Sequence, residues 1–434
     1  MLHTKKTTVL QNDPYADSYE SSPYGGPGTF MDYYGRPMRL GADDDTVIGT
    51  IGQLKGAVID GGRGYNIFQL NGPPAQVMGP VLHESDAWYT VDSAGFLNAL
   101  RNFQEIDFNG SPGWFGDSYG LDKEAEFEVD ASLLNVKRLG VLANFDDAAF
   151  CNLTSANLVI AKMGDGLFAN NLLAAAASVE DTVTLNLEAA RTTPRELNPF
   201  NDMRHPASGQ YTSGGVVKLQ VDAGVKAIVS ENVTESTDSD YAKLFLSGAG
   251  HVSVGNVMNR ETDDGGTSND NSTIDASKLT GGLYVENDSY VTENLVFNKA
   301  TGVDSTNLVG STAGHMDTIR GMGSGDYVDI SGDYFAPQWR GNDLSLAHAN
   351  HAMRISVPGL LPQQFAAAAQ YSAEHETVVW FRGRDGNTYI YDDSGSNGYD
   401  ELGVAGRADV TDFVIKIIGL VTLSFDAGSG HIVA

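Results

Sequence analysis

The chain has 434 residues, of which 50 are glycine and one is cysteine, and its 27 Lys and Arg against 56 Asp and Glu give a formal charge of −29. This charge argues against nucleic-acid binding, because the phosphates would be repelled. One cysteine excludes a disulfide framework and a cysteine-based zinc site, and the sequence has no apolar run long enough to predict a membrane span.

Residues 1–38 predict an extended N-terminal arm. Lys5 and Lys6 are not followed by the apolar stretch of a secretory signal, and residues 11–38 are rich in Asp, Ser, Tyr, Gly and Pro. Such an arm can add to a neighbouring subunit as a strand or clasp, with Tyr33 and Tyr34 in the contact. The alternative is a terminus with no fixed partner.

Residues 39–75 contain the clearest motif. Residues 61–69 (GGRGYNIFQ) fit the nonapeptide G-G-x-G-x-D-x-U-x, with Asn66 where Asp is usual and Phe68 as the apolar residue. Residues 40–48 (LGADDDTVI) fit the same frame less well, and their acidic members include Asp43 and Asp45. Glycines permit a tight turn in which carbonyl and carboxylate oxygens face a cation, and calcium is the hard ion suited to them.

Residues 76–125 predict a mixed segment with one short helix. Residues 94–103 place Phe and Leu side chains on one helical face. Residues 116–120 (GDSYG) satisfy the G-x-S-x-G pattern around Ser118. A nucleophile elbow needs a buried strand before the serine and a helix after it, and turn-forming residues precede this one. A structural loop is therefore favoured over a catalytic serine.

Residues 126–335 predict an irregular β-solenoid. Short strands separated by turn residues recur about every 20 residues, the mark of stacked coils that bury their faces against one another. The absence of long helices between them excludes a doubly wound sheet, and a sandwich or barrel is the alternative. The predicted strands include residues 183–187, 216–221, 242–246, 251–254 and 282–285.

A second Gly/Asp cluster, residues 314–333, has the same cadence and contains Asp317, Asp326 and Asp329. Ordinary turns between strands are the alternative to a metal role. The fold class predicted is mainly β, β-solenoid or β-roll-like, with a small C-terminal β-rich domain over residues 336–434. In that domain, residues 361–371 predict a helix with Pro362 at its start. The predicted calcium ligands are Asp43, Asp45, Asn66, Asp317, Asp326 and Asp329.

The Gly/Asp stretches resemble the hemolysin-type (RTX) calcium-binding repeats of proteins exported by type I secretion. Residues 271–285 (NSTIDASKLTGGLYV) are similar to the rungs of RTX-type surface-layer proteins and adhesins, and residues 431–434 (HIVA) resemble short apolar export tails. The resemblance implies a secreted, extracellular or cell-surface protein whose carboxylates are neutralised by external calcium. It also implies type I export through a C-terminal signal.

The leading hypothesis is therefore a secreted, non-enzymatic structural protein that assembles with itself into a layer, sheath or filament. Calcium is the predicted cofactor, and arm exchange and a cell-surface polysaccharide are the predicted contacts. Two alternatives remain. One is a capsid, decoration or fibre protein of a bacterial virus, and the other is an RTX-type secreted hydrolase with Ser118 as nucleophile.

Overall fold

A computed structural model describes the backbone over much of the chain and divides it into two compact units. The first unit contains Met1–Arg191 and Arg195–Gly214, and the second contains Thr192–Pro194 and Gly215–Ala434. The described residues are 5–9, 38–49, 59–71, 100–109, 126–142, 147–162, 171–177, 182–188, 194–197, 216–230, 243–255, 271–286, 292–307, 311, 313, 316–330, 351–393 and 412–434.

The first unit is built from short strands in parallel sheets. Its elements are β1 (Lys5–Val9), β2 (Met38–Arg39), β3 (Asp44–Gly49), β4 (Ile59–Asp60), β5 (Ile67–Asn71), β6 (Glu105–Asn109), β7 (Glu126–Asp130), a 3-10 helix (Ala131–Leu133), β8 (Arg138–Leu142), β9 (Asp147–Leu153), β10 (Leu158–Lys162), β11 (Asn171–Ala176) and β12 (Thr182–Glu188). The main sheet has the order β1-β3-β5-β6-β8-β10-β12. Smaller parallel sheets are formed by β7, β9 and β11 and by β2 and β4.

Alternation along each strand builds a narrow core. In β3 and β12 every second residue is buried, the pattern of a strand with one face inward. The parallel register stacks one apolar residue from each strand into a column in which every member is at most 1% exposed. That column is Val47, Phe68, Ile106, Leu139, Val159 and Leu185.

The register partners on neighbouring strands define the length of a coil. Leu158 lies beside Arg138, and Ile67 lies beside Thr46, each one coil further along the chain. These two coils agree with the predicted period of about 20 residues. Other coils carry insertions. The coil from Ile67 to its partner Glu105 is almost twice as long as the coil from Thr46 to Ile67.

The second unit repeats this design with two long sheets. Its elements are β14 (Val216–Val221), β15 (Lys226–Ser230), β16 (Lys243–Gly248), β17 (His251–Gly255), β18 (Asn271–Leu279), β19 (Leu283–Glu286), β20 (Thr292–Val296), β21 (Ser305–Thr306), β22 (Asp317–Arg320), β23 (Tyr327–Asp329), β24 (Ala352–Arg354), α1 (Leu361–His375), β25 (Val378–Arg382), β26 (Thr388–Asp392), β27 (Phe413–Ile417), β28 (Ser424–Asp426) and β29 (His431–Val433). The strand β13 (Pro194–Leu197) is divided between the units, with Pro194 assigned to the second and the other residues to the first.

Both sheets of the second unit are parallel at first and then include antiparallel pairs, which join β27, β26 and β25 in one sheet and β23, β29 and β28 in the other. The last pair of the first sheet, β25 with β24, is parallel again. One has the order β14-β16-β18-β20-β22-β27-β26-β25-β24, and the other contains β15-β17-β19-β21-β23-β29-β28. The strands predicted over residues 183–187, 216–221, 242–246, 251–254 and 282–285 are confirmed, with small differences at their ends. The mainly β, solenoid-like prediction is therefore confirmed.

The C-terminal end of the second unit carries α1, the predicted helix. The helix begins at Leu361 with Pro362 in its first turn, and its Phe365 ring meets Phe381 and Tyr389 edge-on at 5.5 and 5.0 Å between ring centroids. The helix predicted over residues 94–103 is wrong at residues 100–103. Arg101 forms an isolated backbone β-bridge with Asp60, and the chain then enters β6 a few residues later.

Candidate functional site

Asn66, one of the predicted metal ligands, forms hydrogen bonds that connect neighbouring turns. Its Oδ1 accepts from the backbone N–H of Asp45 at 3.1 Å, and its Nδ2 donates to the carbonyls of Gly61 at 2.8 Å and Asn102 at 3.0 Å. Asn66 is fully buried. The amide nitrogen occupies the point where carbonyl oxygens converge, so at this position an N–H donor fills the place that a cation would take.

The turn around Asn66 has the shape that its glycines predict. Gly64 has φ of +100°, and a Cβ there would come within 2.2 Å of the carbonyl oxygen of Asp43. Phe68 then points into the core, as the motif requires. Of the neighbouring acidic residues, Asp43 is exposed and Asp45 is buried.

In the second unit, Asp326 stacks on a residue that the sequence did not single out. The backbone N–H of Asp304 donates to Oδ1 of Asp326 at 2.9 Å, and that of Gly323 donates to Oδ2 at 2.6 Å. Asp304 in turn accepts from the backbone of Leu283 at 2.9 Å and Asn298 at 2.6 Å. These two aspartates therefore tie successive turns of the solenoid together.

Burial shifts the pKa values of this stacked pair. Loss of hydration is the main cause that raises the pKa of Asp304 to about 6, and the neighbouring charge of Asp326 adds to it. Burial also raises the pKa of Asp326. The signal for Asp304 in the sequence is its distance of one coil from Asp326, which becomes meaningful once the coil length is known.

The other two predicted ligands of this unit, Asp317 and Asp329, have different partners. Asp317 begins β22 and is buried, and its backbone N–H donates to Oγ of Ser311 at 2.9 Å. Asp329 ends β23, and its Oδ1 lies 3.8 Å from Nε2 of His431. Over the part of the chain that the structure describes, no group of three or more His, Cys, Asp or Glu side chains is placed to hold a metal ion. Calcium binding stays a prediction.

A charged pocket of about 360 Å³ opens on the main sheet of the first unit. We use the name charged pocket for the space lined by Asp44, Thr46, Tyr65, Ile67, Glu105, Arg138, Lys162 and Glu188. The register explains this lining. Thr46, Ile67, Glu105 and Arg138 are partners on four successive strands, and they lie on the face opposite the apolar column.

The floor of the charged pocket is an ion-pair network. Lys162 binds both Glu105 and Asp107, with 2.8 Å between its Nζ and Oδ2 of Asp107. Arg138 approaches Glu105 with 3.3 Å between Nε and Oε2, and the Tyr65 hydroxyl donates to the same oxygen. The side chain of Glu105 is 2% exposed and that of Arg138 is 39% exposed. The carboxylates are therefore underneath, and the cations face the solvent.

The two carboxyl groups of this network have pKa values pushed apart. Burial raises the pKa of Asp107 to about 7, although Lys162 acts to lower it. Burial acts in the same direction on Glu105, but hydrogen bonds from Lys162, Tyr65 and Asp107 outweigh it and hold the pKa of Glu105 at about 2. Near neutral pH, Glu105 is therefore ionised, whereas Asp107 is protonated in part of the molecules.

Sequence reasoning missed the charged pocket. The signal within one strand is the alternation Glu105, Ile106, Asp107, Phe108, which places two acids on one face. Their cationic partners Arg138 and Lys162 lie on β8 and β10, and only the register of the coils brings them together. Ser118 lies outside the described residues, as do Tyr33 and Tyr34.

The fold and the charged pocket define a mainly β, solenoid-like protein with one network of buried carboxylates beneath partly exposed cations in its described part. No model of a known protein family matches the chain, and no curated protein sequence matches it significantly. The resemblance to RTX proteins is therefore carried by the sequence motifs alone. In the described residues, no helix is long and apolar enough to cross a membrane.

Proposed function

We propose that this chain is a secreted structural protein that assembles with itself into an extracellular layer, sheath or filament. The observation that supports this most is the position of β1. This strand pairs in parallel with β3, from Lys5 beside Asp44 to Val9 beside Ile48, and among the described strands it is the last at its end of the sheet. An end strand presents unpaired backbone groups to any chain that can align with it.

The connection between β1 and β3 permits exchange between copies. Residues 10–37 separate β1 from β2. At ~3.3 Å per residue, a connection of this length can span roughly 90 Å when extended. A β1 strand donated to a neighbouring copy would make the same hydrogen bonds with β3 that it makes within its own chain. Exchange of identical elements is a low-cost route to assembly.

The other parts of the proposal follow from the motifs. We expect calcium from the medium to strengthen the assembly through the acidic turns, and we expect a cell-surface polysaccharide to be its anchor. At Asn66 and Asp326 an ion would have to compete with the hydrogen bonds those side chains make. Catalysis forms no part of the proposed role.

Electron microscopy of purified protein, with calcium and with a chelator, tests the proposal. Sheets or filaments that form with calcium would support it, and dispersed particles under both conditions would contradict it. Replacing both Thr7 and Thr8 by proline should abolish assembly, because neighbouring residues of an edge strand direct their N–H groups to opposite sides and one of the two lost donors must face β3. Replacing both by valine keeps the strand and is the matched control. Assembly by the double proline variant would disprove strand exchange while leaving self-assembly in place.

A further inference from the structure

The charged pocket runs across the strands of the first unit. Its lining residues come from β3, β5, β6, β8, β10 and β12 and from the turn that holds Tyr65. Neighbouring strands lie ~4.8 Å apart, so the pocket is elongated in the direction in which the coils stack. This repeat is close to the length of one sugar ring in a linear glycan.

Both cations of the charged pocket are already paired with carboxylates. Lys162 and Arg138 both pair with Glu105, and Lys162 also pairs with Asp107. Asp44 and Glu188 add negative charge to the lining. An anionic ligand would have to displace carboxylates that are already in contact with the cations, and it would approach a chain of charge −29. A ligand without net charge avoids both costs.

Fixed polar groups nevertheless face the space. The guanidinium of Arg138 carries five N–H donors, of which Nε–H bonds Glu105. The carboxylate of Glu188 is oriented by Asn186, whose Nδ2 donates to Oε1 at 3.0 Å, and that of Asp44 accepts from the backbone N–H of Tyr65 at 2.7 Å. These groups are held in place before any ligand arrives, which lowers the entropy cost of binding.

An aromatic ring completes the lining. Tyr65 is 37% exposed, its hydroxyl is held by Glu105, and Cζ of Arg138 lies 5.6 Å from its ring centroid. A fixed, half-exposed ring offers an apolar platform with polar groups at its edge. A sugar ring is complementary to this arrangement, because it has C–H groups on its faces and hydroxyl groups around its edge.

We infer that the charged pocket binds a segment of a neutral, linear glycan across the stacked coils, with Tyr65 under a sugar ring and with Arg138 and Glu188 bonding its hydroxyls. This inference rests on the proposed function only for the source of the glycan, which outside the cell would be a surface polysaccharide. Binding is measured on dilute, unassembled protein, so failure to bind and failure to assemble are separate results.

Calorimetry with neutral hexasaccharides tests the inference. The panel contains β-1,4-glucan, α-1,4-glucan, β-1,4-mannan and β-1,4-N-acetylglucosamine oligomers, with a uronic-acid hexasaccharide as the anionic comparison. At least one neutral oligomer should bind with little dependence on salt, and Tyr65→Ala should weaken its affinity about tenfold. Phe245→Ala is the matched control, because Phe245 is equally exposed, at 37%, on a strand of the second unit.

Two further measurements keep the test decisive if Tyr65→Ala fails to fold. Glu188→Ala changes a partly buried residue at the edge of the network and should also weaken binding. Hydrogen exchange of the unaltered protein should show glycan-dependent protection in β6 and β8. Absence of binding by every neutral oligomer, stronger binding of the uronic-acid oligomer, or protection confined to other strands would each overturn the inference.

Discussion

Gly140 lies directly beneath the carboxyl group of Asp107, so closely that a Cβ added to Gly140 would come within 1.9 Å of Oδ1. The two residues are register partners on β6 and β8. Because Gly140 has no side chain, Asp107 can lie across β8 and reach Lys162 on β10. The charged pocket therefore depends on one glycine that makes no side-chain contact of its own.

Gly140→Ala should displace Asp107 and destabilise the first unit. Overpacking at a buried site costs about 1–3 kcal/mol, and loss of the bond from Lys162 would add to this cost. Denaturant unfolding measures the change in the free energy of unfolding. Gly41→Ala is the control, because no atom lies within 4 Å of its added Cβ. Equal stabilities of the two variants would show that Asp107 is not confined by β8.

Stability should rise as the pH falls from about 7 toward 4. The pKa of Asp107 is about 7 in the folded chain against an ordinary 3.8, so protonation favours the folded state, and the contribution is lost as the pH rises through this window. Asp304, with a pKa of about 6, acts in the same direction. Below about 4 the trend should reverse, because the pKa of Glu105 is lowered to about 2 and its protonation removes stability.

Asp107→Asn isolates the contribution of Asp107 to this profile. The amide mimics the protonated acid, since it can accept from Lys162 and donate to Glu105. Melting temperatures measured from pH 4 to 8 should show a flatter profile for Asp107→Asn than for the unaltered chain. A profile of unchanged slope would mean that Asp107 does not titrate in this range.

Asn66→Asp should destabilise the first unit in the absence of calcium. The substitution removes the N–H groups that bond Gly61 and Asn102 and places a charge among carbonyl oxygens, at a cost of about 3 kcal/mol. Calcium should restore part of this stability, because the carboxylate completes a set of oxygen ligands. Asn66→Ala loses the same bonds without gaining a ligand, so its melting temperature should not respond to calcium. A calcium response shared by both variants would place the ion elsewhere.

Ile432→Ala should destabilise the packing of β29 against β23 and β28 in the second unit. Ile432 is fully buried and lies in register with Val328 of β23 and Phe425 of β28. Truncation of a buried isoleucine costs about 2–5 kcal/mol. Hydrogen exchange should accelerate in β23 and β28, whereas Val433→Ala, at a partly buried neighbour, should change it little. Faster exchange confined to other strands would contradict this packing.

The fold was predictable to the extent that its determinants are local. Alternation of apolar and polar residues in the sequence predicts strands such as β14. Pro362, followed by a run of alanines, predicts α1. The prediction of a helix failed at residues 100–103 because apolar spacing alone cannot distinguish a helix from a chain that enters a strand at Glu105. Asp304 and the charged pocket were missed for another reason. Their partners are fixed by the register between coils, and insertions of unequal length hide that register in the sequence.

Most strands of the second unit pair with a strand that lies one coil further along the chain, but two of them have partners much further along the sequence. β22 pairs with β27, where Thr318 lies beside Lys416, and β23 pairs with β29, where Tyr327 lies beside Val433. A chain that folds from its N-terminus as it emerges would build its coils in turn and then pause with β22 and β23 unpaired on one side. Their completion requires β27 and β29, so in such a chain the free edges of β22 and β23 would stay open to other strands until those two C-terminal strands had been made.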